Sequence, residues 1–206
     1  MQDTKLTISD AELEAIMNSS FFLLKRDVTQ KILHLFGMLE NELMKKVAGD
    51  SFFSTWEPAI KYKGKIFRGE NYRFMPYLLL DCPRVFSSET VFAFRSMFLW
   101  GNEFSFTLHL QGRALEEIRP KMLEHISSLK RQNFFFCVND TPWEYFFEEK
   151  NYASLDDLLS NKHDELKQLI LSKEFIKLSR KLEPREYDQT ISYGLETFEK
   201  LMHVLR

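Results

Sequence analysis

Cysteine is nearly absent from this chain: 206 residues contain two, Cys82 and Cys137. Two thiols exclude a disulfide framework, and their spacing matches no zinc-ligand pattern, so neither metal nor disulfide is expected to organise the fold. Reduced thiols in a cytoplasmic protein are the default reading. Glycine is scarce as well, at 7 residues. No P-loop and no dinucleotide glycine pattern occurs, and GxSxG and HExxH are missing too. The cofactor, if the chain takes one, is left unknown by these absences. Charge of one sign is also missing, since the formal net charge is −2, which argues against a dedicated nucleic-acid binder. No apolar run approaches the ~18 residues that span a bilayer; FMPYLLL and FAFRSMFLW are short and interrupted. The opening MQDTKLTISDAELEAI lacks the apolar stretch of a signal peptide. A soluble, cytoplasmic chain with no membrane partner follows from these absences.

Phenylalanine is abundant, at 20 residues, and rings bury large areas with few rotatable bonds, which favours a ring-built core. The stretch Val91–Leu110 organises that core. Two runs with period-2 alternation flank a Gly101-Asn102-Glu103 turn, the signature of a β-hairpin. Phe92, Phe94, Phe98 and Trp100 share one face with Phe104, Phe106, Leu108 and Leu110. Ser105, Thr107 and His109 occupy the other. With Trp100 opposite Phe104, Arg95 falls near His109 on that polar side.

Around the hairpin, Ser9 and Glu12 spell a helix-capping box before a short helix from Asp10. A longer helix over 21–47 follows, with Val28, Ile32, Leu35, Leu39, Leu43 and Val47 as its stripe and Gly49 as its cap. Phe52, Phe53 and Trp56, ended by Pro58, read as a crossover to the sheet. KYKGKIFRG (61–69) reads as a lysine-protected edge strand, and PYLLLD (76–81), ended by Cys82-Pro83, as a strand covered on both faces. Residues 113–132 have a helical pattern that Pro120 should kink or restart. Segments 133–138 and 143–147 read as strands, 163–181 as a helix, and the last residues as a helix with Tyr187, Ile191, Leu195, Phe198, Met202 and Leu205 inward. The expectation is a single α+β domain over 1–206. Its antiparallel sheet of about four to six strands centres on 91–110, with helices in 8–48 and 154–205 packing it. The sheet core spans 60–148, including a helix at about 115–131. A doubly wound nucleotide-binding fold is excluded by the element order.

Candidate site residues fall in two groups. The loop RGENYR places Arg68, Tyr72 and Arg73 between two strands, where guanidinium forks and a phenol suit a carboxylate or phosphate. Glu70 and Asp81 could equally neutralise them in a surface network. Arg95 interrupts an apolar strand and must reach water, a carboxylate or a ligand. With Thr107 and His109 it could form an anion or acid–base site, unless that sheet face is simply solvated. His109 is the one catalytic candidate. The thiols of Cys82 and Cys137 default to buried and inert. The basic, aromatic stripe from Lys61 to Arg73 has the composition of a single-strand binder, but a protected edge accounts for the same residues.

The leading functional expectation is a binding protein for a small anionic or amphipathic ligand, held in an aromatic-lined pocket between sheet and helices. Arg68, Tyr72, Arg73, Arg95, Thr107 and His109 would make the contacts. The alternatives are a non-enzymatic scaffolding protein, dimerising through its C-terminal helices (163–205), and an enzyme using His109.

Overall fold

The structure, a computed structural model, describes residues 6–48, 50–54 and 63–206. The proposed cap Gly49, the crossover residues Trp56 and Pro58, and Lys61 and Tyr62 of the first predicted strand lie outside the described residues. Helix α1 (Asp10–Met17) begins at the expected capping box: the Ser9 hydroxyl accepts from the Glu12 N–H and the Glu12 carboxylate accepts from the Ser9 N–H. After Asn18, α2 runs Ser19–Ala48. It buries side chains only from Ile32 onward, through Ile32, Phe36, Leu39, Leu43 and Val47. A single turn, α3 (Ser51–Ser54), carries the buried Phe53.

Four strands follow: β1 (Lys65–Tyr72), β2 (Met75–Phe86), β3 (Thr90–Leu99) and β4 (Phe104–Gly112). Next come α4 (Arg113–His125), β5 (Phe135–Cys137), β6 (Tyr152–Ser154), α5 (Leu155–Asn161), α6 (His163–Ser172), β7 (Phe175–Leu182) and α7 (Thr190–Leu205). The sheet is antiparallel with order β1-β2-β3-β4-β7-β5-β6, so the fold is α+β with the β3–β4 hairpin at its centre. Seven strands are one more than the upper expectation. The lysine-bearing β1 is an edge, as its sequence implied.

Four expectations need correction. The helix over 163–181 ends at Ser172, and Phe175–Leu182 is a strand inserted between β4 and β5. Its alternation sends Ile176, Leu178 and Leu182 into the main core, and that pull on a period of two overrides helical propensity. Residues 143–147 form no strand. Proline does not end β2, as Cys82-Pro83 was expected to, and the helix does not restart at Pro120. Strand β2 passes through a cis Cys82–Pro83 bond at a register shift between Asp81 and Arg84, where the ladder requires no donor. Helix α4 contains Pro120. Finally, Phe98 rather than Trp100 stands opposite Phe104, because the connection takes four residues, with the Leu99 N–H bonded to the Glu103 carbonyl and Gly101 at φ +72°. A two-residue offset preserves the faces but sets Arg95 opposite Thr107 and His109 opposite Ala93.

The Phe face is the helical face. Helices α2, α4 and α7 lie on it, burying Phe92, Phe94, Phe104 and Phe106 together with Leu39, Leu43 and Phe198. Helix α7 approaches closely because Gly194 leaves room: a Cβ there would stand 2.8 Å from the Phe106 ring. The opposite face is buried too, under a different cover. Residues 138–151, with neither helix nor strand, lie across it.

Candidate functional site

Two rungs of the sheet set polar side chains under that irregular cover. On the first, Asp81, Arg95, Thr107 and Ser179 are consecutive partners across β2, β3, β4 and β7. On the second, Ala93, His109 and Lys177 are. Asp81, Thr107, His109, Lys177 and Ser179 are each no more than 1% exposed, and Arg95 is buried as well.

The first rung is internally satisfied. Arg95 donates from Nε and Nη2 to the two Asp81 carboxylate oxygens at 2.7 and 2.8 Å, and from Nη1 to the Tyr145 hydroxyl at 2.7 Å. Such a fork matches charge and geometry, which makes burial of both ions tolerable. Thr107 and Ser179 share a hydroxyl–hydroxyl bond of 2.8 Å. Burial pushes the Tyr145 phenol up to about 12, so it stays neutral beneath the cover.

The second rung is not satisfied. Among the described residues, neither ring nitrogen of His109 has a hydrogen-bond partner. Its ring stands edge-on to Trp143 and Phe175, each 6.2 Å away between centroids. Burial, reinforced by the Lys177 and Arg95 charges, pushes its imidazole down to about 3, so it is neutral at physiological pH. Lys177 donates to the Glu144 carbonyl and also meets the Cys137 thiol. Its ammonium stands 4.1 Å from the centroid of Tyr145, a cation–π contact. Burial drives its pKa down to about 8. Among the described residues no carboxylate lies within ion-pair distance of it. Arg95 and Asp81 cancel, so the Lys177 ammonium is left without a direct ion-pair partner among the described residues, with the Glu144 carboxylate acting on it only at longer range.

The cover is held from the β1–β2 turn. Arg73 grips it with bonds of 2.6 Å to Glu144 and 2.9 Å to Glu148, and its guanidinium lies 4.6 Å over the Phe146 ring. The Tyr72 hydroxyl accepts from the Tyr145 N–H at 2.6 Å. This turn has Arg73 at φ 48° and Phe74 at φ 66°, where Asn-Gly would be relaxed. Each non-glycine residue there costs about 1–2 kcal/mol, and such outliers cluster at functional positions. At the other end, Asn139 donates to the Asn151 side-chain oxygen at 2.7 Å, closing the segment on itself.

Five of the six predicted residues therefore converge on one covered layer: Tyr72 and Arg73 at its clasp, Arg95, Thr107 and His109 beneath. Arg68 does not join them. It points to the helical side, opposite Leu78, into a hollow of about 210 Å³ with Phe22, Lys25 and Trp100. Sequence reasoning missed Lys177 and Tyr145. Both were visible as aromatic or polar members of alternating runs, but one run was assigned to a helix and the other to a strand. The thiol of Cys137 is raised by burial and that of Cys82 to about 12, which leaves both as poor nucleophiles.

Among the described residues no three His, Cys, Asp or Glu side chains gather as a metal site requires, and no helix is long and apolar enough to cross a membrane. The chain matches no known family model, no curated protein and no solved structure.

Proposed function

We propose that this chain is a cytoplasmic binding protein that takes a small monoanion, a carboxylate by preference, on the Lys177–His109 rung beneath residues 138–151. The single observation carrying this reading is the pairing of a buried ammonium that has no ion-pair partner with a histidine whose two ring nitrogens lack hydrogen-bond partners, both among the described residues. A buried polar group left unbonded costs about 1–3 kcal/mol, and one anionic ligand would meet both needs. Lys177 supplies the charge, and neutral His109 supplies one N–H donor and one acceptor for orientation. Trp143, 59% exposed and in contact with His109, marks the way in. Entry requires the cover to lift, which its lack of regular structure favours. Arg73 and Tyr72 hold the cover rather than the ligand, and Arg95 and Thr107 floor the site. On this reading the ligand is held on the side of the sheet opposite the helices, under the irregular cover, instead of between sheet and helices.

A His109-based acid–base enzyme is less well supported, because an imidazole held near 3 is a weak base at neutral pH and has no orienting partner. Cytoplasmic placement rests on the free, buried Cys82 and Cys137.

Native mass spectrometry of the purified chain is expected to reveal a small acid bound without a covalent bond. Short-chain carboxylates should raise the melting temperature of the wild type and leave Lys177→Met unmoved, while chloride at equal ionic strength moves neither. A wild type with no adduct and a flat response to every carboxylate and to inorganic phosphate overturns the reading.

A further inference from the structure

The N-terminal arm carries an apolar surface that the described residues leave open. Leu6, Ile8, Leu13, Ile16, Met17 and the run Phe21–Leu24 are each between 44% and 81% exposed, and α1 buries nothing. At about 200 Å² for a large side chain, the arm leaves on the order of 1,000 Å² uncovered. Exposed apolar surface on this scale marks an interaction site, since one partner of a standard interface contributes ~800 Å².

A receiving surface lies on the same molecule. Val28, Ile32 and Leu35 of α2, with Phe98, Phe104 and Tyr187, line an open groove of about 670 Å³. Its rim carries Lys31 and His34. The groove continues the exposed Phe21–Leu24 stripe, since 21, 24, 28, 32 and 35 recur at helical spacing. Helix α1 has the matching character: Leu13, Ile16 and Met17 on one face, Asp10, Glu12 and Glu14 as its only charges. A chain's own α1 cannot fill the groove. Eight residues make a helix of ~12 Å, while Val28–Leu35 begins ~15 Å and ends ~25 Å along α2 from the Asn18 hinge.

We propose that α1 of a second copy of this chain occupies the groove, its apolar face on Val28–Leu35 and its carboxylates toward Lys31 and His34, in a reciprocal two-fold dimer. The N-terminal arm, not the 163–205 helices, is then the contact; α7 is buried in its own core. This interface is independent of the Lys177–His109 site, on the other side of the sheet.

Multi-angle light scattering of the full chain is expected to give twice 24.6 kDa. Ile16→Asp on the arm and Val28→Glu in the groove should each return the monomer mass, with far-ultraviolet circular dichroism unchanged. Glu14→Lys and Lys31→Glu should each weaken the dimer, and an equimolar mixture of the two should associate more tightly than either alone. A monomeric wild type at its highest soluble concentration overturns the proposal, as does a dimer that survives both Ile16→Asp and Val28→Glu. A monomer whose arm binds anionic vesicles, and loses them on Ile16→Asp, overturns it in favour of a membrane surface.

Discussion

His109 is the residue whose position is hardest to explain by stability alone. It sits at the centre of a sheet, 1% exposed, with no hydrogen-bond partner at either nitrogen among the described residues. Evolution-neutral packing would place an aliphatic side chain there, because an apolar group of similar size meets Trp143 and Phe175 without a desolvation penalty. His109→Leu should therefore raise stability by about 1–3 kcal/mol at neutral pH, read as a higher urea midpoint with the slope unchanged. Loss of stability on this substitution would mean that the ring is bonded after all. Arg95, on the neighbouring strand two positions along and on the same face, behaves oppositely. Its fork on Asp81 makes it a structural ion pair, so removing either partner would strand a buried charge.

At the scale of elements, the decisive piece is the cover. Residues 138–151 have no ladder and no helix; besides a few local backbone bonds, such as that from the Val138 N–H to the Asn151 carbonyl, they are held by side-chain clasps from the β1–β2 turn, from Asn139 to Asn151 and from Lys177. Arg73→Ala should release the near end. Amide exchange at Tyr145 and its neighbours is expected to accelerate by at least about tenfold, while β3 and β4 amides keep their protection. Uniform acceleration through the sheet would show Arg73 to be a global rather than a local support. The same segment explains a sequence misreading. WEYFF alternates as a strand does, yet it buries Tyr145 from an irregular backbone, because aromatic burial leaves a similar imprint whether or not a ladder forms. Strand β7 was obscured for the converse reason: FIKLSRKL follows a true helix and is rich in helix formers, but its neighbours β4 and β5 impose a period of two.

For the whole molecule, the second rung should write itself into the pH dependence of folding. The unfolded chain protonates its histidine near 6.5, whereas folded His109 resists until about 3. In that window the unfolded state binds more protons, so stability falls as pH drops, by up to about 1.4 kcal/mol per pH unit. Lys177 acts on the alkaline side. Its folded value near 8 lies below the ordinary 10.5, so its contribution makes stability rise with pH between them. Denaturation midpoints across both windows are expected to lose the acid slope in His109→Leu and the alkaline rise in Lys177→Met; variants that titrate like the wild type would sever these slopes from the two residues. By itself the sequence determined the α+β class, the Phe-lined hairpin, the capped N-terminal helix and the polar character of Arg95, Thr107 and His109. Those features are legible because period-2 and period-3.6 patterns and capping chemistry act between near neighbours. Only the tertiary structure decided that Lys177 joins His109, that Arg95 is neutralised by Asp81, and that an irregular segment rather than a helix closes the polar face. Each of those depends on strand order and on pairings across tens of residues, where the energy comes from burial that no local pattern records.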